Sequence, residues 1–184
     1  MPPSRHATLI GYMPKHIVPR PEWLNAANVV DICSVSECMS PGPKDWISLW
    51  RQNEMWVFDT EEIARSIVED RSEDSPFEVL AFRLLPLFCN NGNTETLAIP
   101  PLNVQELPAD FLFLGFDIVS RSLGTSFECS PLSCNSVAET KPVNCHCLVD
   151  EEDTAVRLAR AFSDQSIACE PGPYYIVEVW RRQQ

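Results

Sequence analysis

The sequence predicts an α+β fold of two pseudo-symmetric halves, each ordered β-β-β-α-β, packed together through mixed or mainly antiparallel sheets. Three observations lead to this prediction. The chain has 184 residues, 45% of them hydrophobic and 22% charged, so it can bury a substantial core. Short β-branched and aromatic runs alternate with turn residues, and two segments have the apolar spacing of an amphipathic helix. Several short motifs then recur in the same order in both halves.

In the first half, strands are expected wherever β-branched and aromatic residues lie between turn residues. These strands are residues 8–12, 28–34, 55–58, 77–88 and 94–99. The hairpin between the last two is indicated by the turn sequence Asn-Asn-Gly-Asn at residues 90–93. A helix is expected over residues 60–71, because Asp59 and Glu62 form a capping-box-like pair ahead of an apolar stripe.

The second half repeats this plan after a proline-rich connection. Pro100, Pro101 and Pro108 make residues 101–110 rigid enough to act as a linker between a first repeat, 1–100, and a second, 111–184. All three parts are also compatible with one compact domain. The expected strands are residues 111–120, 126–129, 144–149 and 174–180. A helix is expected over residues 151–162, directly after Asp150.

An internal repeat relates the two halves. Leu-Ile-Gly-Tyr at residues 9–12 corresponds to Phe-Leu-Gly-Phe at 113–116, and the pattern C-S-x-x-x-C-x-S occurs at 33–40 and again at 129–136. Each predicted helix follows an aspartate and first-turn acidic residues, and each half ends a strand with an aromatic residue and arginine. The separations differ only by amounts that loop insertions can absorb. We therefore predict an internal duplication.

The charge balance favours a protein-binding function. Asp and Glu number 26 against 14 Lys and Arg, which gives a formal charge of −12. Nucleic-acid backbones and anionic membrane surfaces attract basic proteins, so neither is an expected partner. No secretion signal or membrane-spanning segment is recognisable, which predicts a cytoplasmic location. The favoured function is an acidic module, such as an inhibitor, an immunity-type protein or a regulatory subunit, that binds a basic protein.

Two groups of residues are candidates for that partner surface. Acidic residues follow the first predicted helix, where negative charge opposes the helix dipole and so needs another cause. Two tryptophans four positions apart share one face of a short helix, and tryptophan is enriched at binding hot spots. The predicted partner-binding residues are Glu69, Asp70, Glu73, Asp74, Trp46 and Trp50.

Four of the eight cysteines form a possible metal site. Cys33, Cys38, Cys129 and Cys134 supply the four thiolates of a tetrahedral zinc site if the two halves bring their loops together. However, four residues between cysteines is at the long edge of zinc-ligand spacing. The favoured interpretation is reduced, buried cysteines at turns, with no metal and no cofactor. A structural zinc-stabilised subunit is one alternative.

The other alternative is an enzyme or small-ligand-binding protein that uses a cleft between the halves. Its candidate groups are Cys129, Cys134 and His146. If residues 144–149 form a strand, His146 points away from the cysteines on either side of it. The chain has no nucleophile elbow and no phosphate-binding loop, so the sequence leans against an enzyme.

Overall fold

The computed structural model describes residues 3–43, 49–69, 77–121, 126–167 and 169–183. The strands are β1 (Thr8–His16), β2 (Val18–Pro19), β3 (Asp31–Ile32), β4 (Phe77–Asn90), β5 (Asn93–Thr96), β6 (Phe111–Ser120) and β7 (Tyr174–Arg182). The helices are α1 (Glu61–Ser66), α2 (Pro131–Cys134) and α3 (Glu152–Ser163), with a 3-10 helix at Ser136–Glu139. These elements confirm the predicted α+β class.

One antiparallel sheet spans both halves of the chain. Its order is β1-β4-β7-β6, and β5 pairs with the end of β4. Strands β4 and β7 lie at the centre, and the first strand of each half, β1 or β6, lies at an edge. A separate two-stranded sheet joins β2 to β3. The expectation of mainly antiparallel sheets is met among the described residues.

Helices α1 and α3 lie on one face of this sheet, and the segment that follows β3 lies on the other. Alternate residues of a strand point to opposite faces. On β7, Tyr174 packs against α3 and Arg182 hydrogen-bonds to α1, so both helices lie on the same face. Asp117 of β6 pairs with Val177 of β7 and therefore points to the other face. There it contacts the segment that follows β3, which we call the arm (residues 33–38).

The helices follow the predicted apolar spacing, with one difference in length. Helix α3 buries Ala155, Leu158, Ala159 and Phe162, as its sequence pattern indicates. Helix α1 ends at Ser66, earlier than predicted, and the last two residues of the expected helix lie outside the described residues. Its cap is Thr60, whose hydroxyl accepts a hydrogen bond from the Ile63 N–H at 3.2 Å. Asp59 instead accepts a hydrogen bond from Asn53.

Several predicted short strands are turns or loops in the structure. Only Asp31–Ile32 of the strand expected at 28–34 is extended and paired, and residues 126–129 form a loop. The segments 55–58 and 144–149 each keep one isolated bridge to the sheet, Tyr12–Phe58 and Phe116–Val149. The described first half still has the order β-β-β-α-β, followed by β5, although its second and third strands have only two residues each. The described second half instead has two α-helices and a 3-10 helix between β6 and β7, so it does not repeat that order. In the segments 55–58 and 144–149, hydrogen bonds between asparagine side chains and nearby backbone groups replace the expected strand pairing.

Those asparagines make matching contacts in the two halves. Asn53 accepts a hydrogen bond from the Met55 N–H, and its amide donates to the Ile10 carbonyl and to Asp59. Asn144 accepts from the His146 N–H, and its amide donates to the Leu114 carbonyl and to Asp150. The turns that contain Asn53 and Asn144 each lie beside a β-bulge. Each bulge is at a glycine with positive φ, +145° at Gly11 and +146° at Gly115.

The proline-rich connection packs against the first half. The Gln105 N–H donates to the Asp59 carbonyl at 2.9 Å, and the Tyr12 hydroxyl donates to the carbonyls of Gln105 and Glu106. This segment thus adds packing to the first core. In the part of the chain that the structure describes, none of the helices has the length and apolar character required to cross a membrane.

Candidate functional site: a thiol centre

Three cysteines converge beyond the end of β6. The sulfur atoms of Cys38, Cys129 and Cys134 all lie within 4.8 Å of one another, and we call this group the thiol centre. Cys38 comes from the arm, whereas the other two follow β6, so the centre joins the two halves of the chain. Cys38 is exposed, Cys134 is half-buried and Cys129 is buried.

Backbone hydrogen bonds fix the two cysteines that follow β6. The Ser120 N–H donates to the Cys129 carbonyl at 2.8 Å, and the Glu128 N–H donates back to the Ser120 carbonyl at 2.9 Å. Helix α2 then turns the chain back, because the Cys134 N–H donates to the Ser130 carbonyl at 2.9 Å. The loop therefore places both sulfur atoms on the same side.

A buried carboxylate holds the arm against this loop. Asp117 is 1% exposed and accepts hydrogen bonds from the hydroxyls of Ser34 and Ser130, both at 2.6 Å, and from the Val35 N–H at 3.0 Å. Each serine directly follows the first cysteine of its C-x-x-x-x-C motif. One side chain therefore fixes the relative position of both motifs. Burial raises the pKa of Asp117, against hydrogen bonds that favour its charged form.

A buried lysine fixes the end of the arm from which Cys38 projects. The Lys15 ammonium is fully buried and donates to the carbonyls of Val35 and Ser36, both at 3.0 Å, and to the Glu37 carboxylate at 2.6 Å. Removal from water lowers the pKa of Lys15, and the Glu37 carboxylate opposes that shift. The position of Cys38 is thus set by charge-assisted contacts in the residues directly before it.

Contacts among the three sulfur atoms give the three thiols different pKa values. Hydrogen bonding with Cys129 lowers the pKa of Cys134 to about 6. The same contact, together with burial and the Glu170 carboxylate, raises the pKa of Cys129. Burial and the charge of Cys134 raise the pKa of Cys38. Cys134 is therefore the sulfur of the centre that loses its proton most readily, and the Glu170 carboxyl group lies beside Cys129.

The fourth cysteine of the predicted zinc set, Cys33, belongs to a different group. The His146 Nδ1 lies 2.6 Å from the Asp31 carboxylate, and the Cys33 sulfur lies 3.4 Å from that carboxylate and 4.0 Å from Nδ1. Burial raises the pKa of Cys33, so its thiol stays protonated. Burial also raises the pKa of Asp31, but the hydrogen bond from His146 outweighs this and leaves the pKa low. The turn at Asn144 points His146 toward this group.

The two groups differ in their suitability for a cation. Beside Cys33, the Arg181 guanidinium lies 4.0 Å from the sulfur and 3.8 Å from the Asp31 carboxylate. A fixed positive charge at that distance opposes a metal ion. In contrast, the thiol centre has a carboxylate as its additional neighbour. Tetrahedral zinc–thiolate bonds of about 2.3 Å put sulfur atoms about 3.8 Å apart, which the observed separations accommodate.

The predicted partner-binding residues are placed only in part. Trp50 is 86% exposed and Glu69 is exposed. Trp46, Asp70, Glu73 and Asp74 lie outside the described residues. The acidic partner-binding surface therefore stays a prediction.

Sequence reasoning missed the residues that organise the thiol centre. Asp117 interrupts an apolar strand, and a single carboxylate in such a strand is a signal of a buried, hydrogen-bonded charge. Lys15 and Glu170 carry no comparable signal, because their roles depend on segments that meet only in the folded chain. Asn53 and Asn144 were detectable, since each lies the same distance before the aspartate that precedes its helix.

Comparison with protein-family models, curated proteins and solved structures found no match.

Proposed function

We propose that the protein binds one zinc ion at the thiol centre and uses it to join the arm to the second half of the chain. The observation that carries this proposal is the convergence of three sulfur atoms, from two distant segments, within 4.8 Å of one another. Most of the residues between Cys38 and Cys129 belong to other elements of the fold. This is the structural-zinc alternative, which the cysteine spacing alone ranked below buried thiols.

Zinc is the metal that this donor set favours. Soft thiolate ligands select zinc, copper(I) and iron–sulfur clusters over magnesium, calcium or manganese. Structural zinc sites take four ligands in a tetrahedron, and three of them are cysteines in many such sites. Cys38, Cys129 and Cys134 supply these three cysteine ligands.

The metal would stabilise the contact between the arm and the loop that follows β6, which already has polar contacts. Asp117 and Lys15 fix the arm up to residue 37, and the next residue is the ligand Cys38. Binding energy from a metal adds to folding stability when the ligands are brought together only in the folded chain. We therefore assign the ion a structural role.

The direct test is metal analysis of the reduced, purified protein. We expect about one equivalent of zinc after dialysis against zinc-containing buffer, and a lower melting temperature after chelation. Cobalt(II) serves as a spectroscopic probe, because cysteine ligands give a sulfur-to-cobalt charge-transfer band. Cys38→Ser should weaken that band and the zinc affinity without unfolding the protein, since Cys38 is exposed.

Cys145→Ser is the matched control. Cys145 is also exposed but belongs to neither group of metal-ligand residues found in the described chain. This variant should keep wild-type zinc affinity and the full cobalt band. The proposed site would be contradicted if the reduced wild-type protein bound no zinc. It would also be contradicted if Cys38→Ser and Cys145→Ser lost zinc affinity to the same extent.

A second candidate function is the acidic binding module, and one observation favours it. Trp50 is 86% exposed and its neighbour Leu49 is 42% exposed, which is unusual for large apolar side chains that serve only the core. We expect Trp50→Ala to weaken capture of a basic protein from the source cell in low salt. Trp23→Ala, at a residue 45% exposed, is the control and should leave capture unchanged.

We also infer that the two halves arose by internal duplication. The matching contacts of Asn53 and Asn144 support it, as do the bulges at Gly11 and Gly115. The sheet order places β1 opposite β6 and β4 opposite β7 across the boundary between β4 and β7. An approximate twofold axis perpendicular to the sheet is consistent with both helices lying on one face.

A further inference from the structure

We infer that Cys38 and Cys134 form a disulfide when the protein meets a hydroperoxide, so that the thiol centre is a site of reversible oxidation as well as a metal site. This inference rests on the proposed zinc site, because oxidation of two ligands would release the ion. It is carried by the order of exposure within the centre and by the contacts among its three sulfur atoms.

Exposure selects the first sulfur to react. Cys38 is the exposed member of the centre, so a small oxidant in solution reaches its sulfur first. The Cys38 thiol loses its proton to solvent as its sulfur attacks one oxygen of the hydroperoxide. The S–O bond forms, the O–O bond breaks, and the hydroxide or alkoxide that leaves takes up a proton. The sulfur has then lost two electrons to the peroxide and is a sulfenic acid.

The short distance between the Cys38 and Cys134 sulfur atoms determines the second step. The Cys134 sulfur lies within 4.8 Å of Cys38, and it is half-buried whereas Cys129 is buried beside a carboxylate. The Cys134 thiolate attacks the Cys38 sulfur, the S–S bond forms, and the S–O bond breaks with loss of hydroxide, which is protonated to water. Overall, two thiols and one hydroperoxide give one disulfide, one molecule of water and a second molecule of water or an alcohol, and no further oxidant is required. A thiol reductant reverses the reaction.

The disulfide would join the arm to helix α2 covalently. Metal and disulfide are then alternative links across the same junction, because two of the three sulfur ligands are lost on oxidation. Cys129 alone is too few ligands to hold zinc tightly. Oxidation is therefore expected to release the ion while the arm stays attached.

Peptide mapping under non-reducing conditions tests this chemistry. Cleavage after glutamate places Cys38 in the peptide 38–54, apart from Cys33, and places Cys129 and Cys134 in the peptide 129–139. Full-length zinc-loaded protein and metal-free protein are each treated with stoichiometric hydrogen peroxide. We expect a cross-link between these two peptides in both samples, together with zinc release from the first, and both effects should reverse with dithiothreitol.

Variants separate the possible outcomes. Cys134→Ser should abolish the cross-link and leave Cys38 as a sulfenic acid that a dimedone probe labels, whereas Cys145→Ser should behave as wild type. A cross-link that persists in Cys134→Ser, or a disulfide confined to the peptide 129–139, overturns the assignment of the pair. Wild-type protein that binds zinc but forms no disulfide overturns this inference and leaves the zinc site standing. Disulfide formation in a protein that binds no zinc overturns the proposed function instead.

Discussion

Among single residues, Glu61 shows how a first-turn carboxylate does more than interact with a helix dipole. It is 4% exposed and accepts hydrogen bonds from Arg65 of its own helix and from Arg182 at the end of β7. Burial raises the pKa of Glu61, but the hydrogen bonds from Arg182 and Arg65 outweigh it and hold the pKa below its usual range. The residue thus links α1 to the last strand of the other half.

The low pKa of Glu61 predicts a pH-dependent effect on stability. A carboxylate with a depressed folded-state pKa stabilises the protein above its unfolded-state pKa, near 4.3, and that contribution is lost as pH falls through the folded-state pKa. Glu61→Gln should therefore lower the free energy of unfolding by about 1–2 kcal/mol at pH 7, and by progressively less below about pH 4. Urea unfolding at several pH values measures this difference.

Glu62→Gln is the control for that experiment. Glu62 is exposed in the same first turn, so its substitution removes the same formal charge without the buried contacts. We expect a change below about 0.5 kcal/mol. Equal effects at the two positions would show that the helix dipole, rather than the arginine contacts, explains Glu61.

At the scale of elements, the two edge strands depend on glycine bulges. A Cβ at Gly11 would lie 2.4 Å from the Phe58 carbonyl oxygen, and one at Gly115 would lie 2.8 Å from the Leu148 Cβ and 3.0 Å from the Val149 carbonyl oxygen. Both glycines also have a positive φ that other residues rarely adopt. The close approach permits the bridges Tyr12–Phe58 and Phe116–Val149, which attach each asparagine turn to the sheet.

Alanine at either bulge is expected to be strongly destabilising. We predict that Gly115→Ala and Gly11→Ala each lower the free energy of unfolding by about 2 kcal/mol or more, because backbone atoms must move as well as side chains. Gly42→Ala is a milder comparison, since its nearest contact, at 2.7 Å, is the flexible end of Met13 and its φ is not positive. Thermal unfolding of the three variants measures these differences. An equal loss of unfolding free energy in Gly42→Ala and Gly115→Ala would contradict the prediction.

Sequence patterns predicted the elements whose formation depends on nearby residues. Helix α3 and strand β6 lie within a residue of the predicted bounds, because apolar spacing and β-branched runs are local signals. The segment 144–149 was expected to be a strand and is a turn, because the Asn144 side chain binds the His146 and Leu148 N–H groups. The choice of Cys38 over Cys33 for the thiol centre depends on where Asp117 and Lys15 fix the arm. That arrangement depends on tertiary contacts, so no local sequence pattern predicts it.

At the scale of the whole molecule, the two halves share one sheet and exchange contacts. Strands β4 and β7 pair at its centre, and the Val30 and Cys33 N–H groups of the first half donate to carbonyls of Cys145 and His146 in the second. Leu24 and Ile32 belong to the same buried apolar cluster as Ile176, whereas Phe127 and Tyr175 belong to the cluster that contains Tyr12. Each half therefore lacks part of its core when the other is removed.

This shared core predicts that the halves fold only together. The connection packs on the first half, so a break after Pro108 gives fragments 1–108 and 109–184 and leaves the connection on the fragment that it contacts. Expressed alone, each fragment should have an unpaired edge on its central strand, β4 or β7, and show no cooperative thermal transition by circular dichroism. Expressed together, with a tag on one fragment, they should purify as a one-to-one complex that unfolds in a single transition below the melting temperature of the intact chain, because dissociation adds entropy to the unfolded state. A cooperative transition in either isolated fragment would instead divide the molecule into two independent domains, and the thiol centre would then lie at their interface rather than within one folding unit.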